Sequence, residues 1–310
     1  MRPTGLYGYP RFSRADFGGF RFLGPGLGNL LFPWARCRVA CRDFGLTPIA
    51  PTWPQVKIGP FLRGERDKRT YAGLFRRGNG QIGGVRKLLL LATARRFAED
   101  TLSGDAARLR DARGIVEFEG MNGLFEGFVR DHGYLREELR AITRPEFLEA
   151  ADALRGRIAI HVRLSDFRAG NAAEARDGAS AVRLPMDWYA AALAAVRAAA
   201  GESAEAFVFT DGTGTELEDL LRTPNVRRVT TGSSVGDLLA LAGSGLLIAS
   251  GSTFSMWASF LGRMPVVWFP GQRRQDLYYD HPELEIEWEE GAPLPEAFRN
   301  EAARRRAIPC

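Results

Sequence analysis

The sequence predicts an α/β protein with two Rossmann-like domains facing one another across a cleft, and three observations carry that prediction. Between residues 157 and 269, short β-rich runs alternate with helical patterns at the spacing of a parallel, doubly wound sheet. In the first half, the turn Gly24-Pro25-Gly26-Leu27-Gly28-Asn29 separates an apolar run from a helical pattern, as in a βαβ unit. The 310 residues are also too many for one simple core and suit two domains of about 150 residues. The expected division is therefore 1–150 and 151–310.

The elements follow in order. Residues 20–23, Phe-Arg-Phe-Leu, read as a buried first strand, 30–44 as a helix and 46–50 as a second strand. Pro and Gly recur from 51 to 84, with 71–75 as a further strand. Residues 85–98 and 134–154 read as helices, the second interrupted at Pro145, and 115–118 as a short strand. In the second half the strands are 157–162, 206–209, 226–229, 246–249 and 266–269. The helices between them are 185–200, 215–222, 235–242 and 254–261, with Pro185 at a first turn. A last helix, 295–306, is placed to pack back across the domains.

Composition narrows the function classes. A hydrophobic fraction of 45% with 25% charged residues excludes a disordered chain, a collagen and a disulfide scaffold. Cys37, Cys41 and Cys310 form no framework, which fits a reducing compartment. No apolar h-region precedes Phe20, so no secretory signal is expected. The uncharged stretch 238–262 holds too many Ser and Gly for a lipid-facing helix; a strand, a turn and a helix explain it better. The net charge is +5, and all but three of the 42 basic residues are arginine. That excess fits a GC-rich genome, and it also leaves open an anionic partner. The arginines are spread over many segments rather than gathered in one stripe, which argues against a nucleic-acid surface.

Four constellations carry candidate chemistry. The Gly26, Gly28 and Asn29 turn opens a helix N-terminus that favours an anion, or it is a plain tight turn. It lacks the spacing of G-x-G-x-x-G, and Ala50-Pro51-Thr52 stands where a dinucleotide site needs a ribose acid. His161, Arg163 and Asp166 end the first strand of the second half, where an arginine suits a phosphate. The alternative there is an Arg163–Asp166 salt bridge beside a core histidine. Asp211 ends the next strand, either toward ribose hydroxyls or as a turn former. Finally Ser250-Gly251-Ser252-Thr253-Phe254-Ser255 empties a strand into a helix; capping by Ser252 or Thr253 explains one hydroxyl and leaves three.

Together these segments resemble the superfamily of α1,2-, α1,6- and protein-O-fucosyltransferases, nearest to the bacterial α1,2-fucosyltransferases of glycosyltransferase family 11. The family's G-G-L-G-N-Q-[ML]-F resembles residues 25–32, and its H-[VI]-R-R-G-D resembles 161–166. P-L-x-Y-Y-x-x-A-[IL] resembles 185–193, and F-x-x-F-S-D-D resembles 207–212. N-S-T-F-S-W-W-G-A-[WY]-L resembles 251–261. The order is kept from residue 20 to 268, weakly so from 51 to 156.

The resemblance implies a GT-B fold and a metal-independent, inverting transfer of L-fucose from GDP-fucose to a glycan hydroxyl, with no cofactor. By motif, Arg163 would hold the β-phosphate and His161 would lie beside the nucleotide. Asp211 would face the ribose, and Asp237 would read the guanine edge. Ser252, Thr253 and Ser255 would bind phosphate oxygens, and Gly26, Gly28 and Asn29 would add one contact from the acceptor-side domain. The catalytic base would be Asp166 by motif or Glu174 by position, the latter in a loop of about 17 residues, 168–184. The departures are Leu164 for the second arginine, Leu30 for Gln, Gly251 for Asn and Met256 for the first Trp. They keep open another GDP-sugar, or a non-catalytic nucleotide- or glycan-binding protein on the same scaffold. The expected partners are a GDP-sugar and an oligosaccharide or lipid-linked glycan, with no nucleic acid. The expected location is cytoplasmic, with peripheral contact between the basic surface and an anionic membrane.

Overall fold

The computed structural model describes residues 5–59, 70–102, 112–200, 203–212 and 214–306. The chain is α/β, and packing divides it into two units, Met1–Arg144 and Pro145–Cys310.

The first unit is built on a parallel sheet whose central strand is β1 (Leu6–Pro10), a segment the sequence reading passed over. Its Leu-Tyr-Gly-Tyr-Pro run has no β-branched residue, yet Gly8 is what the packing needs: a Cβ there would lie 2.6 Å from Cys41 Sγ. The expected core strand at 20–23 is instead a surface element. After β2 (Ala15–Asp16), it forms β3 (Arg21–Phe22) of a separate small sheet, completed beyond β4 (Thr47–Pro48) by β5 (Gln55–Val56). Phe20, Phe22 and Leu23 are exposed there and Arg21 is buried. β4 flanks β1 on one side, and β7 (Gly114–Phe118) on the other carries β6 (Arg96–Ala98) outside it.

Helix α1 (Leu27–Phe44) ends on Gly45 at φ 67°, a left-handed C-cap. It covers one sheet face, where Cys37, Ala40 and Cys41 pack on Leu6, Leu46, Val116 and Phe118. Helix α2 (Gly84–Thr93) covers the other through Leu90 and Leu91, against Tyr9, Ile49, Ile82 and Ile115. The expected helix 85–98 stops at Thr93 because Arg96 bonds Leu91 O and pairs with Glu117 of β7, drawing 96–98 into the sheet. Residues 71–75 make a single bridge, Phe75 to Thr143, with Tyr71 at positive φ, and so are no strand. Pro145 does break the long helical pattern, into α3 (His132–Ile142) and α4 (Pro145–Asp152), with Thr143 extended.

The second unit follows its pattern more closely. Its six parallel strands are β8 (Ile158–Val162), β9 (Ala206–Thr210), β10 (Val226–Arg228), β11 (Leu246–Ile248), β12 (Val266–Trp268) and β13 (Glu285–Glu287). They lie in the order β10-β9-β8-β11-β12-β13, which counted within the unit is 3-2-1-4-5-6, the doubly wound arrangement. β13 is an edge strand missing from the sequence reading; its Glu-Ile-Glu pattern hides one inward carboxylate, Glu285, which accepts the Leu277 N–H.

Along β8, Ile158, Ile160 and Val162 share one face, and His161 takes the other. The apolar face packs on α6 (Met186–Ala200), which follows a short α5 (Ala172–Arg176), and on Phe298 and Ala302. Beyond α7 (Glu218–Arg222), α8 (Ser234–Ala242) packs against α9 (Thr253–Gly262). The last helix, α10 (Glu296–Arg306), lies on α6 within its own unit. The uncharged stretch 238–262 is thus the end of α8, strand β11, a serine turn and α9. Among the described residues no helix is long and apolar enough to cross a membrane.

Candidate functional site

In a 3-2-1-4-5-6 sheet the crevice opens where the strand order reverses, at the carboxyl ends of strands 1 and 4. Here these are β8 and β11. The first ends at His161-Val162 and runs into Arg163–Asp166; the second runs into Ser250–Ser252 and the N-terminus of α9. Two of the four sequence motifs therefore converge on one position, and a third, ending in Asp211, joins them from β9.

Beneath the crevice lies a closed hydroxyl–imidazole cluster. His161 Nδ1 sits 2.7 Å from Ser255 Oγ and 3.0 Å from Ser250 Oγ, and all three side chains are buried. Ser250 Oγ also lies 3.0 Å from Ser252 Oγ, and Ser252 caps α9 by accepting the Ser255 N–H. Ser255 Oγ also accepts the Ser250 N–H at 3.2 Å, so the ring, the hydroxyls and the turn backbone form one connected network. Burial pushes the His161 pKa down to about 3, with Arg163 adding to the effect and Asp211 opposing it. The imidazole is therefore neutral at physiological pH, and its centroid lies 5.2 Å from that of the Phe254 ring, tilted by 37°. Ser252 and Ser255 spend polar capacity on this cluster, and Thr253 opens the helix.

Above it, Arg163 holds Asp166 with both prongs of its fork, at 2.9 Å and 2.8 Å, and reaches Asp211 at 3.1 Å. The salt bridge weighed from the sequence is present, and Asp211 is its second anchor. Asp211 also accepts the Leu164 N–H at 2.9 Å, the Ser165 N–H at 3.3 Å and the Ser165 hydroxyl at 2.6 Å. Burial works against its charge, yet Arg163 and these hydrogen bonds outweigh it and hold its pKa below the usual carboxylate range. An acid at the end of strand 2 is where a dinucleotide fold binds ribose, and here it clamps the 163–165 loop.

The departures from the family motif have packing reasons. Leu164 is buried in the core of the second unit and covers Gly212, whose Cβ would lie 2.4 Å from Leu164 Cδ1. Gly251 leaves room for Gln272, as a Cβ there would lie 1.9 Å from Gln272 Oε1. Gln272 is itself buried and donates to Ala175 O at 2.6 Å, tying α5 to the serine turn. Met256 is buried in α9.

The loop 168–184 is folded. Asn171 caps α5, Ala175 and Val182 are buried, and Arg183 donates to Leu164 O and Phe167 O while pairing with Glu216 at 2.5 Å. Glu174 pairs with Arg168 at 2.5 Å on that same loop, apart from the Arg163 contacts. Asp237 accepts the Thr231 N–H at 2.6 Å and the Thr231 hydroxyl at 2.8 Å, ordering the turn before α8. Gly26 is the N-cap of α1 and Gly28 and Asn29 form its first turn, all in the first unit. Ser250, Arg183 and Gln272 were absent from the sequence-derived set. Ser250 stood within the serine motif, but the other two act through contacts far along the chain.

No family model and no curated protein matches this sequence. Among solved structures, the chain is similar to the fucosyltransferase NodZ from Bradyrhizobium at 17% identity and a TM-score of 0.49, over 87% of this chain and 97% of that one. It is also similar to POFUT1 in complex with GDP at 12% identity and a TM-score of 0.46, over 86% and 99% of the two chains. Both are distant likenesses.

Proposed function

We propose that the chain is a glycosyltransferase that moves L-fucose from GDP-fucose to a hydroxyl of an oligosaccharide or lipid-linked glycan, with inversion and without a metal. The observation that carries the reading is Arg163 just past the carboxyl end of β8, the strand paired with the β11 that leads into α9, within segments that keep the family's motif order. In the step proposed, the acceptor oxygen bonds to the sugar C1 as the C1–O bond to the diphosphate breaks. The electron pair leaves with GDP, and the acceptor proton passes to a carboxylate. Arg163 and the positive end of α9 stabilise the charge growing on the leaving group. In this reading the diphosphate takes Arg163 from Asp166, which frees that carboxylate as the base.

GDP release from GDP-fucose, with and without a panel of glycan acceptors, tests the reaction. Asp166→Asn is expected to lower turnover about 100-fold or more with GDP affinity retained, while Glu174→Gln stays near the unaltered rate. The reverse ranking would make Glu174 the base. A second reading, a non-catalytic nucleotide- or glycan-binding protein, is favoured by the two carboxylates that already neutralise Arg163. GDP binding without any GDP release would select it, and turnover with a different GDP-sugar would correct the donor.

A further inference from the structure

Helix α2 is apolar on its outer side as well as its inner one. Its one lysine, Lys87, is turned inward and 4% exposed, whereas Val85 and Leu89 are 72% and 59% exposed and Leu88 is also exposed. Residues 85, 88 and 89 stand at i, i+3 and i+4 and so share one outward stripe. The inward lysine donates from Nζ to Thr52 Oγ1 at 2.9 Å and lies 5.3 Å from the Tyr9 ring centroid.

The stripe continues onto the small sheet. Leu88 Cδ2 lies 2.7 Å from where a Cβ on Gly18 would stand, next to Phe17. Phe17, Phe20 and Phe22 are exposed and touch one another, with ring centroids 5.4 to 6.1 Å apart. Phe22 is paired in register with exposed Val56 on β5. An exposed apolar surface assembled from two elements is unusual for a face that meets only water.

Charge identifies the occupant. Residues 17–24, 53–59 and 84–98 contain no Asp or Glu, while Arg86 is exposed on α2 and Arg95 is exposed just beyond its end. Asp16, next to Phe17, is held by the Tyr9 hydroxyl at 2.5 Å and the Gly18 N–H at 2.9 Å. Residues 17–24 and 84–92 also offer no hydroxyl, amide or carboxylate side chain that could read sugar hydroxyls. Protruding Phe and Leu side chains rimmed by arginine are the chemistry of a shallow interfacial contact with anionic lipid. We infer that the face formed by α2 and the β2-β3-β5 sheet docks on an anionic bilayer surface, with Phe20, Phe22 and Leu89 entering the acyl boundary. This inference stands apart from the proposed transfer reaction.

Flotation of the full chain with phosphatidylcholine vesicles, with and without about 30% phosphatidylglycerol, tests it, the latter fraction chosen for its negative surface potential. The unaltered protein is expected to float with the anionic vesicles and far less with the neutral ones. The triple variant Phe20→Ser, Phe22→Ser, Leu89→Ser should lose about 10-fold or more in partitioning, at an unchanged melting temperature. Arg86→Gln with Arg95→Gln should cost about fivefold per residue on anionic vesicles only. Failure of the unaltered protein to float would overturn the inference. So would light scattering showing a dimer that the serine variant dissolves, or saturable oligosaccharide binding that this variant abolishes.

Discussion

Each unit buries one base against hydroxyl groups, and the two sites use that device to different ends. In the second unit His161 lies under Ser250 and Ser255 at the mouth of the sheet, and its neutral ring supports the loop that carries Arg163. In the first unit Lys87 lies under Thr52 and Tyr9, and its inward turn leaves the other side of α2 to leucine. Burial, reinforced by Arg163 and opposed by Asp211, takes the imidazole pKa from 6.5 to about 3. Burial of the ammonium is opposed by Asp16 and takes its pKa from 10.5 to about 8. One base therefore acts as a neutral spacer in a site, and the other as a charge held inside a wall.

The two bases should leave signatures of the same sign in different pH windows. Both folded pKa values lie below the unfolded ones, so in each window the unfolded chain binds more protons and stability rises with pH. The largest effect belongs to His161: stability is lost as pH falls from about 6.5 toward 3, and His161→Asn should flatten that acid limb in urea titrations. A variant with an unchanged acid limb would mean that the ring is protonated within the fold. For Lys87 the window is alkaline, from about 8 to 10.5, with a rise on the order of 3 kcal/mol that Lys87→Met should remove. A flat alkaline limb in the unaltered protein would place that amine in water.

The smaller effects separate the members of the serine cluster. Ser255→Ala removes the acceptor of the Ser250 N–H and the partner of His161, and is expected to cost about 1–3 kcal/mol. Ser252→Ala removes the α9 cap and should cost about 1 kcal/mol. Equal costs, measured by the same unfolding titration, would show that His161 gains nothing from its hydroxyl partners.

The units also differ in how far their residues announce them. β8, Ile-Ala-Ile-His-Val, is buried on both faces, so its apolar run identifies a strand from local composition alone. β1 carries Gly and Pro within five residues, and only the sulfur atoms of α1 explain why Gly8 belongs in a core strand. Residues 20–23 mislead for a related reason: Phe-Arg-Phe-Leu looks like core, but Arg21 is the buried side chain and its apolar neighbours face outward. At the site, motif spacing located His161, Arg163, Asp211 and Ser252. What they bond to was hidden, because Asp211 reaches back 46 and 47 residues and Gln272 reaches back 97. Local pattern shows which side chains stand at a strand end, and tertiary contact decides which of them remain available to a ligand.

Calorimetric titration of GDP, GDP-fucose, GDP-mannose, UDP and NAD into the unaltered chain and into Arg163→Ala tests the central claim most directly. The unaltered chain should bind both GDP and GDP-fucose and be indifferent to UDP and NAD. Arg163→Ala should weaken both guanine nucleotides about 10-fold or more while the protein stays folded at the titration temperature, as expected for the loss of a charge-assisted fork on phosphate. Indifference of the unaltered chain to all five ligands, or equal affinity with and without Arg163, would contradict a diphosphate site between β8 and β11.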